Sequence, residues 1–377
     1  MLTIGLFTDG MGFEGNAIET GPLGGAETCF IQMARTLADL GHQVMAFNNC
    51  REPSVHNRVH YYPIRKSLPL LARQNFDIML VSRFFGFFSL PVKSRLKVLW
   101  NHDTLDNAKA LRTIHDELDL LLVLSNFHRD NFLTRLPQLE DRTVVTRNGI
   151  DFNLLDQGAG DAEKIPGKLI YSSRPERGLR NLLENIWPRL SKARTNLKLY
   201  LCGYTVDDDF LEPGLKDLYN HLDYLCQKDP RIINLGPLSK NDYYRHLKEA
   251  EMMVYPSTFP EVSCLAVLEA QALGTAVLTS DSYALSESVV IPEFKIFGRP
   301  ASPAYYDRYV ERALKLLSAP TDLESLSQKA KSLIRSRHSW EKIAQEWLRV
   351  FDLSIKSKEN RANFQAAEPG VSHALMV

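Results

Sequence analysis

The sequence predicts an α/β protein built as two similar halves that face each other across a cleft. Three observations carry that prediction. The chain has 377 residues, more than one hydrophobic core usually organises, so two domains of ordinary size are expected. Short apolar runs alternate with longer amphipathic segments from end to end, the pattern of layered α/β units with mainly parallel strands. Between the two series, Asp151 to Pro166 turns rich in Gly, Asp and Ala and reads as a connection. The domains are placed at 1–155 and 167–340, with a linker at 156–166. A closing helix follows at 341–356, a candidate to pack back on the first domain, and then a flexible tail at 357–377.

The elements follow in order. Leu2 to Thr8 is the first strand and Glu27 to Leu40 the first helix. Apolar runs at His42 to Asn48, Ile78 to Ser82, Val98 to Asn101, Leu120 to Ser125 and Thr143 to Thr146 read as further strands. The second series comprises strands at Leu169 to Ser172, Lys198 to Cys202, Ile232 to Leu235, Met252 to Tyr255 and Ala276 to Thr279. Helices are expected at Arg180 to Leu190, Asn241 to Ala250, Val262 to Leu273, Tyr305 to Leu317, Leu323 to Arg337 and Glu341 to Ser354. The Val262 to Leu273 segment is rich in Ala and Leu, lacks Pro, and stops at Gly274, a residue suited to a left-handed cap.

Composition sets limits on function. Forty-five basic residues balance 45 acidic ones, so no global field points to nucleic acid. Locally, Arg51 to Trp100 holds nine Lys and Arg against two acids, a net of 9 − 2 = +7. That stretch is a candidate for peripheral membrane contact. Within it, Arg83, Phe84, Phe85, Gly86, Phe87 and Phe88 interleave a cation with aromatics. Such a run can seat a lipid-linked ligand or an anionic membrane surface, or be core packing after a strand, and the burial habit of phenylalanine favours the core. The five cysteines are scattered, with no CxxC pair and no His at zinc spacing, which fits free thiols in a reducing compartment. No apolar run approaches the roughly 20 residues that span a bilayer, and the start lacks a signal-peptide pattern, so a cytoplasmic location is expected.

In open parallel sheets, ligands bind beyond the carboxyl ends of the strands, so residues just after each strand are the ones to weigh. Gly10, Gly12 and Gly15 spell GxGxxG after the first strand. The fingerprint needs a helix opening at its last glycine, and Pro22 with a polar stretch delays it, which argues against a dinucleotide site. At the helix start stand Gly24 and Gly25, which expose backbone N–H groups to an approaching phosphate, or simply form a capped turn. Arg174 and Arg177 follow the first strand of the second half. Their planar forks suit a diphosphate, the alternative being a solvated turn with Arg177 paired to Glu176 or Glu184. Glu261 and Glu269 bracket a small apolar run within this region, Glu261 at the entrance of the Val262 to Leu273 helix and Glu269 inside it, roughly 12 Å apart along a helix axis. Glu269 sits among apolar neighbours, where an ionised carboxylate requires a ligand or a cation. His102, after a strand, has a ring that when neutral can bond a ligand hydroxyl, with Asp103 or Asp106 to orient it. Asp207, Asp208 and Asp209 superficially suit a metal, but lie in an acidic loop that reads as solvated.

Taken together, GGAE, RNGID (Arg147 to Asp151), SSRPERGL, the E-x7-E helix, GTAVLTSD and Ser339-Trp340 resemble the retaining family 4 glycosyltransferases of GT-B fold, over roughly residues 1 to 352. The resemblance implies two Rossmann-like domains facing across a cleft. It implies that Glu269 binds the ribose of a nucleotide-sugar donor, that Glu261 lies against the donor sugar, and that Arg174 and Arg177 hold the diphosphate with Gly24 and Gly25 facing it. Val262, Ser263, Cys264 and Gly203 join the donor contacts, and His102 lies beside the sugar. Many relatives use an Arg and a Lys five positions apart, whereas here two arginines stand three apart, which makes Arg177 the safer assignment. No metal or cofactor is implied. The implied partners are the donor and a glycan or lipid-linked glycan acceptor. Two other classes stand beside this reading: a nucleotide-sugar epimerase or hydrolase on the same scaffold, and a non-catalytic binding protein.

Overall fold

The computed structural model describes residues 1–21, 23–106, 116–203 and 213–367. Pro22, the Asp207–Asp209 loop and residues 368–377 lie outside the described residues. Two sheets form the frame. The first has eight strands in the order β3-β4-β2-β1-β5-β6-β7-β8: Thr3–Phe7 (β1), Gln43–Asn48 (β2), Ser54–His56 (β3), Val59–Pro63 (β4), Asn75–Ser82 (β5), Lys93–Trp100 (β6), Leu120–Val123 (β7) and Thr143–Val145 (β8). Every pairing is parallel except β3 with β4. The second has six parallel strands in the order β11-β10-β9-β12-β13-β14: Ile165–Ser172 (β9), Lys198–Cys202 (β10), Ile232–Gly236 (β11), Ala250–Tyr255 (β12), Ala276–Ser280 (β13) and Lys295–Ile296 (β14). Parallel strands buried on both faces account for apolar runs such as Ile78 to Val81 and Met252 to Tyr255, all at most 1% exposed.

Besides the helix Pro213–Lys228 and the two-residue β14, which the sequence reading lacks, four segments depart from it. The hairpin β3–β4 was not anticipated, because its strands are short and polar and its two-residue turn is Asn57-Arg58. Both turn residues adopt positive φ, 49° and 63°, a role usually signalled by Asn-Gly, and Arg58 is tied to Asp39. The expected linker holds a helix at Phe152–Ala159, N-capped by the Asp151 side chain, which accepts from Leu154 N at 3.0 Å. The helix expected to end at Ser354 starts at Trp340 and continues to Ala367, so residues 357–367 of the expected tail are helical. Lys358 from this extension reaches the Asp119 carboxylate at 2.8 Å, and Glu359 meets Arg95 at 2.8 Å. The fourth departure, at the glutamate helix, belongs to the cleft and is described with it.

Trp340, Ile343, Ala344, Trp347, Phe351 and Ile355 pack in the core of the first sheet's domain. Trp347 stacks edgewise on Trp100 at 4.9 Å and donates to Thr146 Oγ1 at 2.6 Å. The chain therefore crosses between domains twice, and the two crossings are stitched together. Ile150 N donates to His338 O at 2.6 Å, and Arg147 Nε donates to Arg337 O at 2.8 Å. Gly149 permits this approach, since a Cβ there would lie 2.4 Å from the Trp340 ring.

Phe87 and Phe88 are 2% exposed, with Phe84 and Phe85 partly buried against the same cluster, so the aromatic run is core. Five of the nine cations between Arg51 and Trp100 pair with carboxylates. That pairing shrinks the local field below what the count alone suggests. Among the described residues, no helix is long and apolar enough to cross a membrane.

Candidate active site in the interdomain cleft

The carboxyl ends of both sheets open onto one cleft of about 1110 Å³. From the first domain come Gly24, Gly25, Glu27, Arg83, His102 and Asp103; from the second come Arg174, Arg177, Gly203, Lys240, the Glu261–Cys264 run and Glu269. The residues that the resemblance assigns to the donor site all line this one space, whereas Gly10, Gly12 and Gly15 do not.

Glu261 is 4% exposed. Its Oε1 accepts from Tyr255 Oη at 2.6 Å and from Arg177 Nη1 at 3.0 Å. The Tyr255 phenol is held well above its ordinary pKa by burial and by the Glu261 charge, so it remains a donor. Arg177 lies over the Phe259 ring at 4.1 Å. The arginine partner is thus Glu261, and the candidate partners Glu176 and Glu184 serve Arg174 (2.6 Å) and Arg180 (3.1 Å) instead.

Glu261 does not sit on the helix. The helix runs Leu265–Ala272 with Cys264 as N-cap, about one turn shorter at its start than the apolar pattern predicts. The cause is tertiary: Glu261 O accepts from Ala284 N at 3.0 Å, while its side chain is drawn to Tyr255 and Arg177. These bonds hold 261–264 as a loop along the sheet edge, so the axial spacing of about 12 Å does not apply.

Glu269 is 5% exposed and has the cation it requires. Lys240 Nζ lies 3.0 Å from Oε1, and Tyr244 Oη donates to the same oxygen at 2.8 Å. Among the described residues, neither glutamate's Oε2 has a hydrogen-bond partner, and neither Oε2 is sealed from solvent. Each carboxylate is therefore anchored by one oxygen and presents the other to the cleft.

Facing them, the Gly25–Asp39 helix begins with Gly24 as N-cap. A Cβ on Gly25 would make an ordinary 3.4 Å contact with Leu265 Cδ1, whereas a Cβ on Gly24 would lie 2.2 Å from Glu27 Oε2. Glu27, buried in the first turn, is paired with Arg83 at 2.9 Å. Arg83 itself has φ 68°, a left-handed conformation that bulky residues rarely adopt.

His102 packs on Trp100 with ring centroids 4.5 Å apart. Burial, then the Arg83 charge and His128, hold its pKa well below the ordinary value, and its buried Nε2 has no partner. A neutral ring with an open nitrogen can donate to or accept from a hydroxyl. Neither Asp103 nor Asp106 orients it. The Asp103 carboxylate is 3.8 Å from Arg83, and Asp106 accepts from Thr104. Orientation comes from Trp100 and from the loop, which His128 fastens by bonding Asp103 O at 2.9 Å.

Four partners were missed from sequence: Lys240, Tyr244, Tyr255 and Arg83. Lys240 and Arg83 follow strands β11 and β5 closely, so the strand-end rule could have found them. The domains also touch outside the cleft. Glu287 accepts from Asn126 N (2.8 Å), Asn126 Nδ2 (2.9 Å) and Phe127 N (2.9 Å), while Phe127 meets Tyr283 edgewise at 5.2 Å.

The architecture is GT-B. Residues 166–333 match the family Glycosyl transferases group 1. The chain is 30% identical over 185 residues to the lipopolysaccharide 1,2-N-acetylglucosaminetransferase of Salmonella typhimurium, covering 48% of this chain and 46% of that protein. It is 26% identical over 263 residues to a glycogen synthase of Mycobacterium tuberculosis, covering 69% and 59%. The chain thus spans about half the length of these curated relatives. Among solved structures, the sucrose-phosphate synthase of Thermosynechococcus elongatus superposes with a TM-score of 0.74 at 15% identity, over 95% of this chain and 100% of that one. Anabaena HepE in complex with UDP-glucose gives 0.68 at 16% identity, over 93% and 100%.

Proposed function

We propose that this protein is a retaining glycosyltransferase that moves a sugar from a UDP- or GDP-sugar to a hydroxyl of a glycan or lipid-linked glycan, in the synthesis of a surface polysaccharide or glycoconjugate. The observation that carries the reading is the pair of half-anchored carboxylates, Glu261 beside Arg177 and Glu269 beside Lys240, facing a glycine helix start across one cleft. The match of residues 166–333 to Glycosyl transferases group 1 supports it, as does the 30% identity to the Salmonella lipopolysaccharide enzyme.

In this reading, Glu269 Oε2 accepts from the ribose and Glu261 Oε2 faces the donor sugar. Arg174, Arg177 and the Gly24–Gly25 amides stabilise the departing nucleoside diphosphate. The bond between the sugar's anomeric carbon and the diphosphate oxygen breaks as the acceptor hydroxyl bonds to that carbon on the same face. The hydroxyl proton passes to the leaving phosphate oxygen, so neither a separate base nor a metal is assigned. His102 contacts a sugar hydroxyl, and Val262, Ser263, Cys264 and Gly203 line the donor.

The test is product analysis of UDP- and GDP-sugars incubated with and without a panel of lipopolysaccharide-core and lipid-linked glycans. Transfer that requires an acceptor and keeps the anomeric configuration supports the proposal. Conversion of the donor sugar to its epimer without acceptor would assign the scaffold to epimerase chemistry instead.

A further inference from the structure

Lys240 breaks a local rule. It is the first residue of the helix Lys240–Glu249, N-capped by Ser239, where the helix dipole disfavours a cation. It is nevertheless drawn inward. Its side chain is 15% exposed, lies 5.6 and 5.2 Å from the Tyr243 and Tyr244 rings, and pairs with Glu269 at 3.0 Å. Positions where a chain gives up local preference without a stability gain are expected at functional sites.

The arrangement on Glu269 has a definite form. Lys240 and Tyr244 stand one turn apart on the same helix face, and both reach the same oxygen, Oε1. Two donors on one oxygen fix the carboxylate's rotation, and the second oxygen is turned toward the cleft. The cation serves the site by what it does to Glu269, while the phenol alone would leave the carboxylate a single pivot.

We infer that Lys240 is a positioning residue of the ribose subsite, aiming Glu269 Oε2 at the donor's ribose hydroxyls. The inference rests on the nucleotide-sugar reading above and adds to it a residue that acts only through Glu269. Lys240 thereby tightens binding of a ribonucleotide and leaves a nucleotide without those hydroxyls unaffected.

The experiment is a chemical double-mutant cycle by isothermal titration calorimetry on the full chain. Wild type, Lys240→Met and Lys240→Arg are titrated with UDP, GDP and ADP, and the tightest of these is then compared with its 2′,3′-dideoxy counterpart. The expected result is about a tenfold loss of affinity for the ribonucleotide in Lys240→Met, the size of one charge-assisted contact, with less than about a twofold loss for the dideoxy compound and most of the affinity restored in Lys240→Arg. Equal losses for both nucleotides would place Lys240 on the phosphates or in the fold and overturn the inference, as would no loss at all. Should Lys240→Met fail to fold, Lys240→Gln, which keeps a neutral donor, gives the same comparison. Wild type binding none of the three nucleotides would refute the nucleotide-sugar reading itself, a result distinct from wild-type binding with unaffected variants.

Discussion

Replacing Glu261 with Gln isolates charge from shape. Both donors, Tyr255 and Arg177, converge on Oε1 at 2.6 and 3.0 Å, so an amide whose carbonyl takes that place keeps both hydrogen bonds. Bonds to a charged group contribute about 1.5–3 kcal/mol each and neutral ones about 0.5–1.5. The substitution should therefore lower folding stability by about 2 kcal/mol in all, read as a lower denaturant midpoint at unchanged slope. Glu261→Ala leaves Tyr255 and Arg177 unpaired and should cost more, about 3–5 kcal/mol. The effect on chemistry is separate. Oε2, which faces the cleft as an acceptor, becomes an N–H donor, and turnover should fall about 100-fold, the scale for losing one electrostatic contact to the reacting group. The assay is nucleoside diphosphate release at saturating donor, run beside calorimetric donor binding, which should change only a few-fold because Glu269 is intact. Turnover within about threefold of wild type in a folded Glu261→Gln protein would refute the placement of Glu261 against the donor sugar.

Three further outcomes follow from the geometry. Gly25→Ala places a methyl 3.4 Å from Leu265 Cδ1, an ordinary contact, so stability should stay within about 1 kcal/mol while donor affinity falls at least about tenfold as the methyl blocks phosphate approach; equal affinity would remove Gly25 from the site. His128 is fully buried and burial pushes it from 6.5 down to about 4, against the opposing bond to Asp103 O. The unfolded chain therefore binds the proton first as pH falls, so stability present above pH 6.5 is lost on acidification, by about 3 kcal/mol at pH 4. Denaturation at both pH values checks this, and His128→Gln should narrow the loss. Glu287→Gln weakens three bonds across the domain boundary, and small-angle scattering should show a larger radius of gyration without ligand, with the midpoint of unfolding lowered by about 1 kcal/mol or less because the site is exposed; an unchanged radius would show that the latch does not hold the domains together.

Much of this architecture was legible in the sequence because parallel strands buried on both faces write themselves as apolar runs, a rule that most of the eleven anticipated strands follow, the partly exposed edge strands β8 and β11 excepted. Those that escaped, the Asn57-Arg58 hairpin and the two-residue β14, are too short or too polar to leave such a trace. That the candidate residues line the cleft was legible by position, since strand ends point at it. Their partners were not, because pairing depends on distance in space: Lys240 and Glu269 are 29 residues apart in sequence and Arg177 and Glu261 are 84. The start of the glutamate helix was misplaced for a related reason. Its local pattern favours a helix from Val262, and a tertiary bond from Ala284 N to Glu261 O overrides it. The continuation of the final helix past Ser354 escaped because its last turns are polar and are held by Lys358 and Glu359 to the first domain.

The central claim is that this cleft seats a nucleoside diphosphate with its ribose on Glu269 and its phosphates between Arg177 and the Gly24–Gly25 helix start. A crystal structure of the wild-type protein grown with the tightest of UDP, GDP and ADP tests it directly. The account predicts ribose hydroxyls within hydrogen-bond distance of Glu269 Oε2 and diphosphate oxygens on Arg177 and the Gly25 amide. A nucleotide bound elsewhere, or in this cleft with its ribose away from Glu269, would contradict it.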